Sequence, residues 1–580
     1  MGKHNDQTAG VDITIVLCGQ AGQGIQTVES LLTKTLKLAG YNVFATKEYM
    51  SRVRGGLNST LIRVCDKPVD AYCHRIDILA ALEAGAVDHL GSRVSDDTII
   101  IGNADSLKSE NDNIGDKYDI AFTDIAKDVG GKVYSNTVAA GVVLAILGID
   151  KEIFDNEIRN FFEGKDEDII NTNIEASKAG YRASEKGFGE SKYNLGKRQT
   201  DENADRQLLI KGAQAIGLGA IAGGCNFICS YPMSPSTGVL VFLAGQSKEF
   251  GILAEQAEDE ISAINMAIGA WYAGARAIVT TSGGGFALMG EGLSLAGIIE
   301  SPVVIHLAQR PGPATGLPTR TEQGDLELAL YSGHGEFPRV ILAPGTIEEG
   351  FKLTARAFEV ADKCQVPVII LTDQYYMDSY YNIEPFDTEG VNSANHITET
   401  SADYNRYELT DDGISPRGIP GLREGCVCVD SDEHDVSGHI TEDFDVRVQM
   451  VDKRLKKLDL ILEDSLPPDI YGLDDYKNLI VCWGSTVNIV REAVERLEDE
   501  TVAVAHFMQV YPLPKNISEI LEKAEKVIVV ENNATGQFAK LLWTQTGIKP
   551  TDSILKYDGI AFAVDQLSGQ IAETIKGEDK

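Results

Sequence analysis

The sequence predicts an α/β protein made of successive parallel-sheet units, and three features carry that prediction. Apolar, β-branched runs recur, each ending in a glycine-containing turn before a helical stretch: VDITIVLC before GQAGQG, AIVTT before SGGG, NLIVCW before GST. Strand, turn and helix in that rhythm mark parallel α/β units, whose ligands sit at the carboxyl ends of the strands. The 57 glycines fit a chain with many such turns. Finally, 580 residues are too many for one core; at roughly 100–200 residues per domain, about three or four domains are expected.

Taken in order, Val11–Cys18 is a short strand running into Gly19-Gln20-Ala21-Gly22-Gln23-Gly24 and a helix over Ile25–Leu38. A glycine loop before a helix N-terminus offers backbone N–H groups to a phosphate. The GxxGxG spacing is not the dinucleotide fingerprint GxGxxG, so a phosphate cradle and a plain tight turn both stay open. The run YMSRVRGG adds Arg52 and Arg54 beside a glycine pair, as an anion-binding loop or as an ordinary surface loop. Asp77–Ala84 and Thr98–Ile101 continue the α/β pattern, which fades near Gly180. Residues 182–206 are polar and aperiodic, and read as a linker.

A second unit opens with a small-residue-rich helix over Leu208–Ile221, then Cys225–Ser230 and YPMSPST. Two prolines bracket Ser234 and fix the backbone around its hydroxyl, either to hold a substrate or as a simple proline turn. The centre of the chain is Glu255–Arg320. An acidic cluster, Glu255, Glu258, Asp259 and Glu260, precedes Ile261, Ala263, Ile264, Ala267 and Ile268 at helical spacing. The strand Ala277–Thr281 ends in Gly283-Gly284-Gly285, and a second helical run, Phe286–Ile299, leads to Pro302–Ile305 and a Gly/Pro-rich loop after Arg310. A carboxylate at one end and an arginine loop at the other look like a site. The competing reading of the cluster is an acidic helix start favoured by the dipole.

Val366–Asp373 closes that unit. Residues 384–445 have little apolar periodicity and read as an extended crossover anchored by Tyr404, Tyr407, Ile414 and Ile419. Within them Asp432-Glu433-His434 and His439 match no ligand spacing such as HExxH, and no metal site is expected in this chain. A charged helix over Asp443–Leu462 follows. The third unit alternates strands Asn478–Trp483, Val502–His506 and Lys526–Glu531 with helices Val487–Leu497, Ile517–Ala524 and one from near Gly536. It shows no catalytic constellation.

A net charge of −35 argues against a nucleic-acid or anionic-membrane surface. With no basic-then-apolar leader over Met1–Asp12 and no apolar run of about 18 residues, a cytoplasmic location is expected. The nine cysteines are scattered with no CxxC pair. They fit reduced thiols and are too sparse for an iron–sulfur cluster, which a partner would have to bring.

Several stretches together carry a family resemblance. GQAGQGI with YMSRVRGG resembles the γ domain of the 2-oxoacid:ferredoxin oxidoreductases, and YPMSPST resembles that family's YPITPS motif. EDEISAINMAIGA, TSGGGFALM and QRPGPATGLPT are similar to the core of its α subunit; TDDGISPRGIPG with EHDVSGHITED is similar to the crossover of fused γα chains. The form TGLPT is most similar to the 2-oxoglutarate branch. The resemblance spans essentially the whole chain. It implies a γ domain over 1–185, a linker over 186–206 and a pyrimidine-binding thiamine diphosphate domain over 207–384. A crossover over 385–470 and a transketolase C-terminal-like domain over 471–580 complete it.

The resemblance further implies an enzyme that oxidatively decarboxylates a 2-oxoacid, 2-oxoglutarate first, with thiamine diphosphate. Electrons pass to iron–sulfur clusters and ferredoxin, and coenzyme A leaves as succinyl-CoA. A separate β subunit is implied to bring Mg2+, the diphosphate-binding GDG…N motif and the 4Fe-4S cysteines, in an (αβ)2 heterotetramer. Neither the GDG…N motif nor the cluster cysteines occur here. By the same resemblance Glu260 bonds the pyrimidine ring nitrogen of the cofactor, with Tyr231 and Pro232 on that side of the site. Arg310 falls on the substrate-carboxylate arginine, whose guanidinium fork suits a 2-oxoacid. Arg320 is the candidate for a distal carboxylate. Ser234 stands where the family carries Thr, keeping the hydroxyl and losing the methyl that restricts its rotamer. Gly284 replaces a Pro of the family's TSGPG. Gly19, Gly22, Gly24, Arg52 and Arg54 are implied coenzyme A contacts. The alternatives are a pyruvate or broad-range enzyme of the same family and a non-catalytic scaffold chain of the same fold. The combination of Glu260, Arg310 and Ser234 argues against a scaffold.

Overall fold

The computed structural model describes residues 10–20, 25–51, 56–111, 113–188, 191–195 and 206–577. They form two compact units. One comprises residues up to Ile210 with Ser379–Pro385 and Ala563–Gln566; the other comprises Lys211–Asp378, Phe386–Phe562 and the chain from Leu567 onward. The α/β class holds throughout, with three sheets.

The first unit is built on an eight-stranded sheet. Its order is Asp116–Asp119, Ile99–Gly102, Ile78–Ala81, Asp12–Gln20, Leu57–Cys65, Asn42–Glu48, Tyr380–Ile383, Leu208–Lys211. Asp12–Gln20 is its pivot. It pairs parallel with Ile78–Ala81 and antiparallel with Leu57–Cys65, and Ile13 to Gly19 are all buried because both faces are covered. Helix Ile25–Leu38 forms over the predicted span and turns Val28, Leu31, Leu32 and Leu36 onto the sheet, the stripe expected of a half-buried helix.

Two elements differ from the sequence reading. Leu208–Lys211 is not the start of a helix but the edge strand beside Tyr380–Ile383, and the helix begins at Gly212. Pairing to an open edge overrides the helical propensity of leucine there. Helix Glu167–Gly187 runs past Gly180 into the stretch read as linker. Ile170 and Ile174 bury in its first half, but from Ala176 on its buried face is small: a Cβ on Gly180 would lie 2.2 Å from the Val138 carbonyl, and one on Gly141 2.5 Å from the Ser177 carbonyl. Glycine lets the two helices touch where a hydrophobic stripe would hold them apart. Linker residues 189–190 and 196–205 lie outside the described residues.

In the second unit a seven-stranded sheet has the order Gln509–Tyr511, Val340–Leu342, Pro367–Asp373, Val303–Gln309, Ala277–Thr281, Phe227–Ser230, Leu253–Gln256. All pairings are parallel except the first, which a short strand of the C-terminal segment makes antiparallel to Val340–Leu342. His306 sits fully buried in the middle strand, with Nδ1 2.7 Å from Thr280 Oγ1 and Nε2 2.8 Å from Thr372 Oγ1. Burial depresses its pKa to about 3, so this imidazole is a neutral cross-strand link. The five-stranded sheet follows the order Asp469–Tyr471, Val502–Phe507, Asn478–Trp483, Lys526–Glu531, Asp552–Leu555. Gln323 ties it to the loop after Val303–Gln309: its Nε2 donates to the Trp483 carbonyl at 2.7 Å, and its Oε1 accepts the Asn532 N–H at 2.9 Å.

The crossover is extended and anchored, as expected. Tyr407 is fully buried with its hydroxyl on the Ile299 carbonyl at 3.1 Å, Tyr404 donates to the Pro416 carbonyl at 2.8 Å, and Ile419 packs on Gly274. Buried charges add to this. Asp362 holds Arg276 at 2.6 Å and also Arg417, while Glu300 holds Lys453 at 2.7 Å and Lys457 at 2.5 Å. Burial alone would raise the Glu300 carboxyl; the two ammonium groups and Arg406 outweigh it and hold it well below the usual carboxylate range. Glu433 grips Arg454 at 3.0 Å, and His434 stacks on Tyr407 with ring centroids 4.0 Å apart. Asp443 caps the charged helix Phe444–Glu463. Among the described residues no helix is long and apolar enough to cross a membrane.

Candidate active site

Four neighbouring strands of the seven-stranded sheet deliver the predicted site segments to one side. Leu253–Gln256 leads to Glu260, Phe227–Ser230 to Tyr231–Thr237, Ala277–Thr281 to Gly283–Gly285, and Val303–Gln309 to Arg310. Because the strands are parallel, their carboxyl ends share an edge, where ligands of open α/β sheets bind.

The acidic cluster separates by role. Glu255 and Glu258 are exposed, and Asp259 caps the helix Glu260–Tyr272 by accepting the Ser262 N–H at 2.7 Å. Glu260 alone is turned inward, 3% exposed. Its Oε1 is shielded from solvent and has no hydrogen-bond partner among the described residues. Gly285 makes room for it: a Cβ there would lie 2.5 Å from Oε1. Ile261, expected on the apolar face with Ile264 and Ile268, is half exposed, because that face starts at Ala263.

The three glycines begin a helix rather than a turn. Gly283–Leu288 and Gly290–Ile298 are separate short helices where one run was expected. Ser282 Oγ, just before them, is likewise shielded and has no hydrogen-bond partner among the described residues.

Arg310 and Ser234 are brought together. Arg310 Nη1 donates to the Ser234 backbone carbonyl at 2.7 Å, while the Ser234 side chain is exposed. Tyr231 is exposed and Pro232 half-buried on the same loop. Ser236 Oγ, bonded to the Met233 carbonyl at 2.7 Å, holds the loop's shape. The arginine loop folds tightly at Gly316, at φ 52°, where the Leu317 N–H donates to the Pro311 carbonyl at 3.1 Å. Arg320 lies further along, packed on Gly559, with the adjoining Thr321 N–H donating to the Gly559 carbonyl at 3.1 Å.

Of the residues implied for coenzyme A, Gly19 is the penultimate residue of its strand, opposite Asn58, rather than part of a loop. Gly22, Gly24, Arg52 and Arg54 lie outside the described residues. A cavity of about 480 Å3 opens in this unit beyond the strands Ile78–Ala81 and Ile99–Gly102, lined by Glu83, Asn103, Ser106 and Lys132 among others. Gly19 does not line it.

Sequence reasoning missed Asp325. Followed by LELALY it reads as a helix cap, yet its side chain makes no capping bond. Its N–H donates to Gln309 Oε1 at 3.0 Å, which folds the loop back to the end of the Arg310 strand. Burial first, then the Glu322 charge, push its carboxyl up to about 7, with Arg310 opposing.

A buried carboxylate with an open oxygen beside a glycine gap fits a heterocycle that bonds through a ring nitrogen, as the pyrimidine of thiamine diphosphate does. The comparisons agree on that class. Residues 218–453 match the family described as pyruvate flavodoxin/ferredoxin oxidoreductase, thiamine diphosphate-binding, and residues 14–183 match pyruvate ferredoxin/flavodoxin oxidoreductase. The α subunit of a 2-oxoacid:ferredoxin oxidoreductase from a Sulfolobus species is 32% identical over 97% of both chains. The 2-oxoglutarate oxidoreductase subunit KorA of Mycobacterium tuberculosis is 28% identical over 98% of this chain and 92% of its own. The solved 2-oxoglutarate:ferredoxin oxidoreductase of Magnetococcus marinus, with 2-oxoglutarate, coenzyme A and succinyl-CoA bound, matches with a TM-score of 0.91 at 28% identity, covering 97% of this chain and 99% of its own. The chain belongs to the 2-oxoacid:ferredoxin oxidoreductases, as an α subunit of that family.

Proposed function

We propose that this chain, with a separate β subunit, converts 2-oxoglutarate, coenzyme A and oxidised ferredoxin to succinyl-CoA, CO2 and reduced ferredoxin, reversibly. The observation that carries the reading is the unpartnered Glu260 Oε1 beside Gly285, one strand end away from the Ser234–Arg310 pair. Bound thiamine diphosphate supplies the nucleophilic carbon for the 2-oxo group and the electron sink for loss of CO2. Glu260 holds the hydrogen bond at the pyrimidine ring nitrogen and so sets which ring tautomer is present. Its burial excludes water from that bond. Tyr231 and Pro232 line the same side.

Arg310 takes the carboxylate next to the 2-oxo carbon. Its Nη1 donates to the Ser234 carbonyl, which aims the guanidinium and leaves its remaining N–H groups to donate to the substrate carboxylate. The Ser234 hydroxyl lies on the same loop and bonds the substrate oxygen. Arg320 answers the distal carboxylate that distinguishes 2-oxoglutarate from pyruvate. Coenzyme A is assigned to Gly19, Gly22, Gly24, Arg52 and Arg54. Mg2+, the diphosphate site and the 4Fe-4S cluster are assigned to the β subunit of an (αβ)2 assembly in the cytoplasm. The relatives named as α subunits support a partner of this kind.

Glu260→Gln in the holoenzyme tests the reading, because it keeps shape and burial but removes the ionisable oxygen. Decarboxylation with a low-potential acceptor is expected to be lost with the melting temperature unchanged. Substantial residual turnover rules out the role of Glu260. Faster turnover of pyruvate than of 2-oxoglutarate by the parent enzyme overturns the substrate.

A further inference from the structure

Asp325 occupies a structural position without doing the structural job. It precedes the helix Leu326–Tyr331, where an aspartate ordinarily accepts a backbone N–H of the first turn, yet it makes no such bond. Its carboxylate is turned instead onto Gly283: a Cβ there would lie 2.5 Å from both Oδ1 and Oδ2. Oδ2 is shielded from solvent and, among the described residues, has no hydrogen-bond partner. An oxygen of this kind is costly to bury charged unless a cation answers it.

The charges around it are few. Arg310 lies at the other end of the same loop, near enough for each group to feel the other, yet among the described residues the two form no ion pair. Glu322 adds a negative charge from its own loop. The helix Gly283–Leu288 brings no charged residue, and the strand before Arg310 ends in the neutral Gln309. From the helix Gln537–Thr546, Lys540 is taken by Glu327 at 3.1 Å. On the next strand the Asp373 carboxylate is occupied by Ser485 and the Tyr376 N–H. Beyond Gly285 stands Glu260. Arg310 is thus the cation that Asp325 senses, and the substrate carboxylate competes for it.

We propose that Asp325 is a positioning residue that governs how much of the Arg310 charge is available, so that 2-oxoacid binding carries the uptake of one proton onto Asp325. The inference rests on Arg310 receiving the substrate carboxylate. When ionised, Asp325 draws the guanidinium field to itself and opposes an incoming anion. When protonated, it leaves Arg310 to the substrate. Burial and the Glu322 charge push the Asp325 carboxyl up to about 7, which brings both forms within reach near neutrality. An anion bound at Arg310 adds negative charge nearby and favours the protonated form further.

The sign follows. Affinity for the 2-oxoacid is highest on the acid side of neutrality and falls as pH rises, by up to about tenfold per pH unit, the limit for one linked proton. The test is 2-oxoglutarate binding, by calorimetry from about pH 6 to about pH 9 in buffers of different ionisation heat, to the complex stripped of thiamine diphosphate, so that no decarboxylation adds to the count of protons taken up. The parent is expected to take up protons on the alkaline side of neutrality; no uptake overturns the proposal whatever the variants do. Asp325→Asn, a neutral isostere, is expected to bind with little pH dependence and without that uptake; a parent-like slope overturns the proposal. Arg310→Lys separates the two readings. Lost affinity at every pH with a parent-like slope in Asp325→Asn removes only the role of Asp325, whereas unchanged affinity in Arg310→Lys removes the substrate site itself.

Discussion

Gly283, Gly284 and Gly285 are consecutive in one short helix, yet the structure assigns them different tolerances for alanine. A Cβ on Gly284 meets nothing nearer than the Ala314 carbonyl at 3.9 Å. One on Gly285 would lie 2.3 Å from Thr281 Oγ1 and 2.5 Å from Glu260 Oε1, about 1 Å inside the comfortable separation of roughly 3.5 Å. Thr281 is β-branched and buried in its strand, so its rotamer is stiff and the Glu260 carboxylate is what must move. Both substitutions bring the same helix-propensity gain of about 1 kcal/mol. The difference between them therefore isolates the overlap, an overpacking cost of about 1–3 kcal/mol. Thermal melting of the holoenzyme should place Gly284→Ala at or slightly above the parent and Gly285→Ala below it. Thiamine diphosphate affinity, by equilibrium titration, should fall roughly 5–150-fold in Gly285→Ala, the factor matching that energy, and hold in Gly284→Ala. If the two variants melt and bind alike, the placement of Glu260 against Gly285 is wrong.

Three further outcomes are expected. Glu300→Ala strands Lys453 and Lys457, both about as buried as their partner, and should cost about 3–5 kcal/mol, read as a lower urea midpoint. Because the folded Glu300 carboxyl lies below its unfolded value, its stabilisation is complete above the ordinary carboxylate range and is lost progressively as pH falls from that range to the lower folded value; an acid-unfolding limb unchanged in Glu300→Gln would refute this. Gly316→Ala sets a Cβ 1.8 Å from the Pro311 carbonyl at a left-handed φ. It should raise KM for the 2-oxoacid by at least about tenfold, since the left-handed penalty of about 1–2 kcal/mol is joined by an overlap with backbone that the loop must shift to relieve.

What could be read beforehand was whatever large apolar residues announced by their spacing. Ile25–Leu38 formed as expected because one stripe of valines and leucines meets the sheet. The end of helix Glu167–Gly187 fell in the stretch read as linker because from Ala176 on its buried face is written in Gly, Ala and Ser, which carry no hydrophobic period. Leu208–Lys211 escaped because its strand state depends on an edge supplied by Tyr380–Ile383, far along the chain. The roles proposed for Glu260 and Arg310 came from family resemblance rather than from spacing. Structure added what separates Glu260 from its acidic neighbours: it alone is buried with an open oxygen. Asp325 was hidden behind a helix-cap pattern it does not fulfil, and His306 behind an apolar strand whose two threonine partners lie on other strands.

The short strand Gln509–Tyr511 has a practical meaning for how this protein can be cut. It covers Val340–Leu342, three fully apolar and buried residues that would otherwise be a bare sheet edge. A naked apolar edge recruits other strands and aggregates. A truncation in the crossover, at a boundary that looks permissive on the page, would therefore yield insoluble material rather than a free cofactor-binding fragment. The C-terminal segment behaves as a built-in edge guard, and any engineered split of the chain must carry that strand along.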